Sequence, residues 1–219
     1  MKEVVLEYLR TESAMNIDLH GKQVLIGGAD GTLTSAVRQA LADNGATIAG
    51  IDVAAPVTLS TASVADPFAL ILVSKGAEGI PETDMDHASE RTDFLRSIRH
   101  LAPRLKRVVL LFSAAGLVPI KGLAQFCADQ AGIATLTRAM AMELGPSCAV
   151  NAVSVGAYQT ADDDIRTSRF LTHTALRRPA SLDEIFSAVL FLADPDNTYM
   201  TGHTLNIDGG WAAGYARNF

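Results

Sequence analysis

Cysteine, aromatic side chains and positive charge are all scarce in this chain. Two cysteines, Cys127 and Cys148, stand among 219 residues, too few for a disulfide scaffold and in keeping with a reducing compartment. Aromatic residues make up 6%, and 18 Lys+Arg against 24 Asp+Glu leave a formal net charge of −6. Nucleic-acid binding needs cations gathered on one face and rings for base stacking, so no such partner is expected. The longest strongly apolar run, residues 68–73, is far shorter than the roughly 20 residues that span a bilayer. The opening Met1-Lys2-Glu3-Val4 lacks the basic stretch and apolar core of a secretory signal, and a cytoplasmic location is expected. His20, His87, His100, His173 and His203 show no tight ligand spacing, so no metal site is expected.

Apolar residues, by contrast, make up 48% of the chain, enough for a core without metal or disulfide staples. Val5, Leu6 and Leu9 recur at near-helical spacing, which predicts an amphipathic leader helix over residues 1–17. Val24-Leu25-Ile26 is a strand stopping at Gly27-Gly28, Val37, Ala40 and Leu41 mark a helix ending by Gly45, and residues 47–53 form a second strand carrying Asp52 near its end. Further strands are predicted at 69–73, 107–112, 150–154 and 203–207, alternating with helices at 84–106, 123–144 and 182–192. Strands alternating with helices imply one domain, 1–219, built on a doubly wound parallel α/β sheet.

Three stretches in this order, GKQVLIGGADGTLTSAVRQALADNGA, SAAGLVPIKGLAQFCADQAGIATLTRAMAMELGP and RRPASLDEIFSAVLFLADPDNTYMTGHTLNIDGGW, resemble the short-chain dehydrogenase/reductase family across about residues 18–212. The resemblance implies a Rossmann-like fold and an NAD-type cofactor. The family's cofactor loop reads Thr-Gly-x-x-x-Gly-x-Gly, but here its positions hold Gly27, Gly28, Thr32 and Thr34. A β-branched residue in place of a glycine costs roughly 1–2 kcal/mol if the backbone must be left-handed. Asp30 sets a carboxylate beside the helix start, where it could fill the anion site or, with Thr34, cap the helix. The loop is expected to bind no cofactor, and Asp52 is a vestige of the family's ribose-binding acid. Ser74 follows Asp52 by only 22 positions, too few for the two helices, strand and connections usual there. The sheet is therefore expected to be truncated on the adenine-binding side, with Pro56 and the run VTLSTASVADP supplying at most one short strand.

Family chemistry uses a Ser to orient the carbonyl, a Tyr as acid/base and a Lys four residues on, one helical turn away on the same face. Ser113 keeps its place, the tyrosine position is Phe126, the lysine position is Gln130, and the helix asparagine falls on Glu90. Phe126 carries no proton, and loss of a positioned acid/base costs about 10²–10⁴ in rate. These four are degenerate catalytic positions, and no active catalytic residue is expected. A rewired hydrolase or lyase would need Ser113 with Glu90 as its base; Cys127 reads as a packing residue.

The two central helices resemble the pair that forms a four-helix interface between family subunits. Phe94, Ile98, Leu101, Ile133, Thr137 and Met140, with Trp211 in the C-terminal strand region, are the expected interface residues. Thr160 keeps the Gly-x-x-x-Thr spacing from Gly156 and opens an acidic stretch over 161–176. Together these features imply a catalytically inactive subunit in a hetero-oligomer, a tetramer, with an active NAD-dependent relative. Such pairs occur among the family's antibiotic ketoreductases and in the dehydrogenase of anaerobic toluene degradation. The alternatives are a ligand-binding regulator on the same scaffold and the rewired enzyme.

Overall fold

Continuous apolar runs flanked by helices place strands with both faces buried, the pattern of a parallel sheet covered on two sides. A computed structural model of the protein describes residues 17–53, 66–84, 88–159 and 171–214. The leader helix, Pro56, Thr160, the 161–170 part of the acidic stretch and His87 lie outside the described residues.

The strands are β1 (Gln23–Gly28), β2 (Thr47–Ile51), β3 (Pro67–Val73), β4 (Arg107–Ser113), β5 (Ala149–Val155) and β6 (Thr204–Ile207). All pair in parallel in the order β2-β1-β3-β4-β5-β6. The helices are α1 (Thr32–Asp43), the single turn α2 (Lys75–Glu78), α3 (Ala88–Leu101), α4 (Ala124–Leu144) and α5 (Leu182–Ala193). This is the Rossmann-like α/β fold expected. Among the described residues β2 and β6 are the edge strands, and β2 lies on the side where shortening is expected. The strand order reverses between β1 and β3, and the crevice at such a switch point is where open α/β sheets take ligands.

Val24, Ile26, Ile71, Val109 and Leu111 meet α1 and α5 on one face of the sheet. Leu25, Leu70, Leu72, Leu110 and Phe112 meet α3 and α4 on the other. This second face corrects the expected interface. Phe94, Ile98, Leu101, Ile133 and Met140 are buried in it, and Thr137 is buried with its hydroxyl donating to the Ile133 carbonyl at 2.9 Å. Their apolar spacing marks the side of each helix that covers the sheet, so they are committed within the protomer. The exposed residues of α4 instead mix Ala128, Thr135, Ala139 and Met142, the last 85% exposed, with Gln125, Arg138 and Glu143.

Candidate functional site

At the switch point β1 ends on Gly28, whose φ of +105° and close approach to the Val73 carbonyl leave no room for a side chain. The Ala29 N–H donates to that carbonyl at 2.8 Å, and the chain then enters α1 through Gly31, which offers no capping side chain. A helix start leaves several N–H groups without intrahelical partners. Here the acceptor comes from 44 residues away: the Glu78 carboxylate takes the Leu33 N–H at 3.0 Å and the Thr34 N–H at 2.8 Å. The Thr34 hydroxyl lies 2.6 Å from Glu78 Oε1 and 2.8 Å from the Ala29 carbonyl oxygen. A Cβ on Gly31 would strike the Glu78 carboxylate, so glycine there makes room for the carboxylate.

These contacts revise the reading of the loop. Asp30 is exposed, and Glu78, not Asp30 or Thr34, is the acceptor at the helix start. Thr32 and Thr34 begin α1, and Arg177 is the sole non-glycine residue with positive φ among those described, so the strain expected from replacing glycines is absent. What replacement brings is a hydroxyl on Thr34 aimed at Glu78. The resemblance implies a dinucleotide whose diphosphate would meet these same N–H groups. As the residues stand, the loop does not fit that diphosphate, because Glu78 holds the donors. Asp52 is exposed just beyond β2.

The positions that the resemblance matches to the family's catalytic residues hold the other side of α2. Ser74 caps α2, its oxygen accepting the Ala77 N–H at 3.2 Å while its hydroxyl donates to Gln130 Oε1 at 3.0 Å. Gln130 Oε1 also accepts the Ser113 N–H at 2.9 Å, and a Cβ on Gly76 would run into the Gln130 amide. The Ser113 oxygen accepts the Ala115 N–H at 3.3 Å. Glu90 Oε1 accepts the Lys75 N–H at 2.8 Å. Tyr158, which sequence reasoning missed, is buried and donates its hydroxyl to the Glu78 carbonyl oxygen at 2.9 Å. Burial, reinforced by the Glu78 carboxylate, raises the Tyr158 phenol well above its ordinary value.

Phe126 is 0% exposed and packs with Ala115, Leu123 and Cys127, while Gln130 is 1% exposed. Burial pushes Glu90 up to about 7; the Lys75 N–H and charge pull it down, and Asp129 and Asp93 oppose them. Glu90 Oε2 and Gln130 Nε2 have no hydrogen-bond partner among the described residues. Ser113 and Glu90 spend their contacts on separate backbone groups, so the nucleophile-base pairing considered from sequence does not form. Asp84 repeats the long-range capping at α4, accepting the Phe126 N–H at 2.9 Å and the Gln125 N–H at 3.0 Å, bonds that lower its own pKa.

Elsewhere, an open groove of about 440 Å³ lies beside the end of β6, lined by Leu176, Arg178, Glu184, Asn206 and Asp208 among others. Its charges are engaged: Arg178 pairs with Glu184, and Asp208 accepts the Gly210 and Ala212 N–H groups, both at 2.8 Å. Both cysteines are free and buried, and burial pushes Cys148 up to about 11. Among the described residues no cluster of His, Cys, Asp and Glu could hold a metal, and no helix is long and apolar enough to cross a membrane.

Residues 91–212 match the family described as enoyl-(acyl carrier protein) reductase. The trans-4-hydroxycyclohexanecarboxylate dehydrogenase of Sinomonas cyclohexanicum is 38% identical over 108 residues, covering 49% of this chain and 41% of that protein. The acetoacetyl-CoA reductase of Allochromatium vinosum is 36% identical over 110 residues, covering 48% of this chain and 44% of that protein. The chain thus matches less than half the length of these relatives. Among solved structures, ligand-free aldohexose dehydrogenase of Thermoplasma acidophilum superposes with a TM-score of 0.76 at 19% identity, over 94% of this chain and 99% of that one. A short-chain dehydrogenase/reductase from Brucella melitensis gives 0.76 at 22% identity, over 90% and 99%. At such identities the likeness shows the fold.

Proposed function

The chain belongs to the short-chain dehydrogenase/reductase superfamily, and from that premise we propose that it is a catalytically silent member. It binds no cofactor itself, assembles with an active NAD-dependent relative, and supports that partner's structure. The observation that carries this reading is Gln130. At the position where the family places its lysine, a fully buried amide ties Ser113 to Ser74, and Phe126 one turn earlier has no proton to transfer. General acid/base catalysis needs a titratable group within hydrogen-bond reach of the reacting oxygen. Ser113, the one retained position, spends its oxygen on the Ala115 N–H.

Among the exposed residues of α4, which also include Gln125, Arg138 and Glu143, the small or apolar Ala128, Ala139 and Met142 support assembly, since such side chains allow a partner helix to approach closely. The partner's substrate class on this reading is a hydroxyacyl thioester or secondary alcohol. The substrate 2-(hydroxyphenylmethyl)succinyl-CoA of anaerobic toluene degradation is the named candidate, and acetoacetyl-CoA reductase among the relatives is consistent with that class. A second reading, a ligand-binding regulator, draws on the open groove beside β6.

Co-expression with a relative carrying intact Tyr-x-x-x-Lys, followed by native mass spectrometry and a turnover assay with NAD⁺, tests the proposal. A mixed oligomer whose turnover survives Ser113→Ala in this chain is expected. Two separate homo-oligomers, or turnover by this chain alone, would sink it.

A further inference from the structure

We infer that Glu78 is a built-in occupant of the anion site at the α1 N-terminus, so that the chain excludes diphosphates by internal competition, with the binding donors still in place. The inference deepens the silent-subunit reading of this site and rests on it. A site lost by decay would lack its donors or have them turned away. Here the Leu33 and Thr34 N–H groups converge on one carboxylate, as they would on two phosphate oxygens. The dipole of a 12-residue helix favours an anion at that point.

The occupant is also held from behind. Glu78 ends a single helical turn fixed at Lys75 by the Glu90 carboxylate, at its capping residue Ser74 by the buried Gln130 amide, and at its own carbonyl by the Tyr158 hydroxyl. The three anchors stand on α3, on α4 and just after β5, and two of them, Glu90 and Gln130, occupy degenerate catalytic positions. A tethered carboxylate has a high effective concentration, and a free diphosphate must displace it. The bare Gly31 leaves the space that the carboxylate fills, space open to another anion once Glu78 is shortened.

Inorganic pyrophosphate is the probe, titrated at constant ionic strength into wild type, Glu78→Ala and Glu78→Gln, by calorimetry and by amide resonances of ¹⁵N-labelled protein. In wild type the Leu33 and Thr34 resonances are expected to stay in place. In Glu78→Ala they shift and saturate, with affinity at least about tenfold above the wild-type limit. Glu78→Gln keeps the shape of the side chain and carries the test if the alanine variant melts early. Adding NAD⁺ as a second ligand separates a bare anion site from one that takes a dinucleotide, and binding of pyrophosphate with or without NAD⁺ supports the inference. Equal behaviour of wild type and both variants overturns it, as do wild-type Leu33 and Thr34 resonances that move with pyrophosphate. Turnover and co-assembly decide the silent-subunit reading separately, so a failed titration leaves that reading standing.

Discussion

The starts of α1 and α5 solve one problem by opposite means. At α5 the capping groups are local: Ser181 accepts the Glu184 N–H at 3.2 Å, and Glu184 reaches back to the Ser181 N–H at 2.8 Å, the reciprocal box that Ser-x-x-Glu forms. At α1 the acceptor is Glu78, on another element altogether. The local cap serves only its helix. The distant one ties α1 to α2, and through Ser74, Gln130 and Glu90 to β4, α4 and α3. The crevice at the switch point is thus a junction among five elements, and the positions where the family resemblance places catalytic side chains carry the ties. That contrast predicts that substitutions in the crevice cost more than equivalent ones at α5, and that the two regions respond oppositely to pH.

The largest effect is expected from restoring the family lysine. Gln130→Lys puts an ammonium where Ser74, Gly76 and Ser113 close around a neutral amide, and it removes the acceptor of two hydrogen bonds. An uncompensated buried charge costs about 3–5 kcal/mol. Urea denaturation should register that loss; a variant as stable as wild type would mean that the junction is slack.

Glu90 comes next. Its carboxyl sits at about 7 in the folded chain against an ordinary 4.5, so between those values the folded state keeps a proton that the unfolded state releases. Stability from this group is full below pH 4.5 and falls as pH rises to 7, by about 3 kcal/mol. Glu90→Gln, neutral throughout, should flatten that slope in melts taken from pH 5 to 8.

Glu78→Ala removes the acceptor for two N–H groups and the Thr34 hydroxyl. Glu78 is only half-buried, so water replaces part of what is lost, and about 1–3 kcal/mol is expected. The matching change at α5, Ser181→Ala, should cost about 1 kcal/mol. Reversal of that order would break the comparison.

The same contrast decides what the sequence could reveal. Every strand of the described sheet stands within two residues of its predicted bounds, because apolar runs such as Phe68–Val73 have no other stable disposition. The Ser181 box was also available from four consecutive residues. Glu78 was not, since nothing near it signals a partner at Thr34, and its one clue is an acid five residues beyond the end of β3's buried run. Likewise Phe126 and Gln130 were legible as departures from the family pattern, whereas the hydrogen bonds of Gln130 depend on Ser74 and Ser113, brought together only by the parallel register of β3 and β4. The six interface residues expected on α3 and α4 were misplaced for a related reason. Helical periodicity identifies an apolar stripe but not what it faces, and the sheet claimed Phe94, Ile98 and Ile133.

The smallest effect is expected at the local cap under acid. The Arg178 guanidinium and the Ser181 N–H hold Glu184 down at about 2, so its contribution is present above the ordinary 4.5 and lost as pH falls toward 2, the reverse of Glu90. The pair is largely solvent-exposed, and exposed ion pairs yield about 0–1 kcal/mol once screening is counted. Arg178→Met should therefore leave the neutral-pH melt nearly unchanged and remove only a shallow acid-side slope that salt also suppresses. A steep, salt-insensitive acid slope assigned to Glu184 would show that the α5 cap, too, is coupled to the rest of the fold, and the division between local and distant capping would no longer hold.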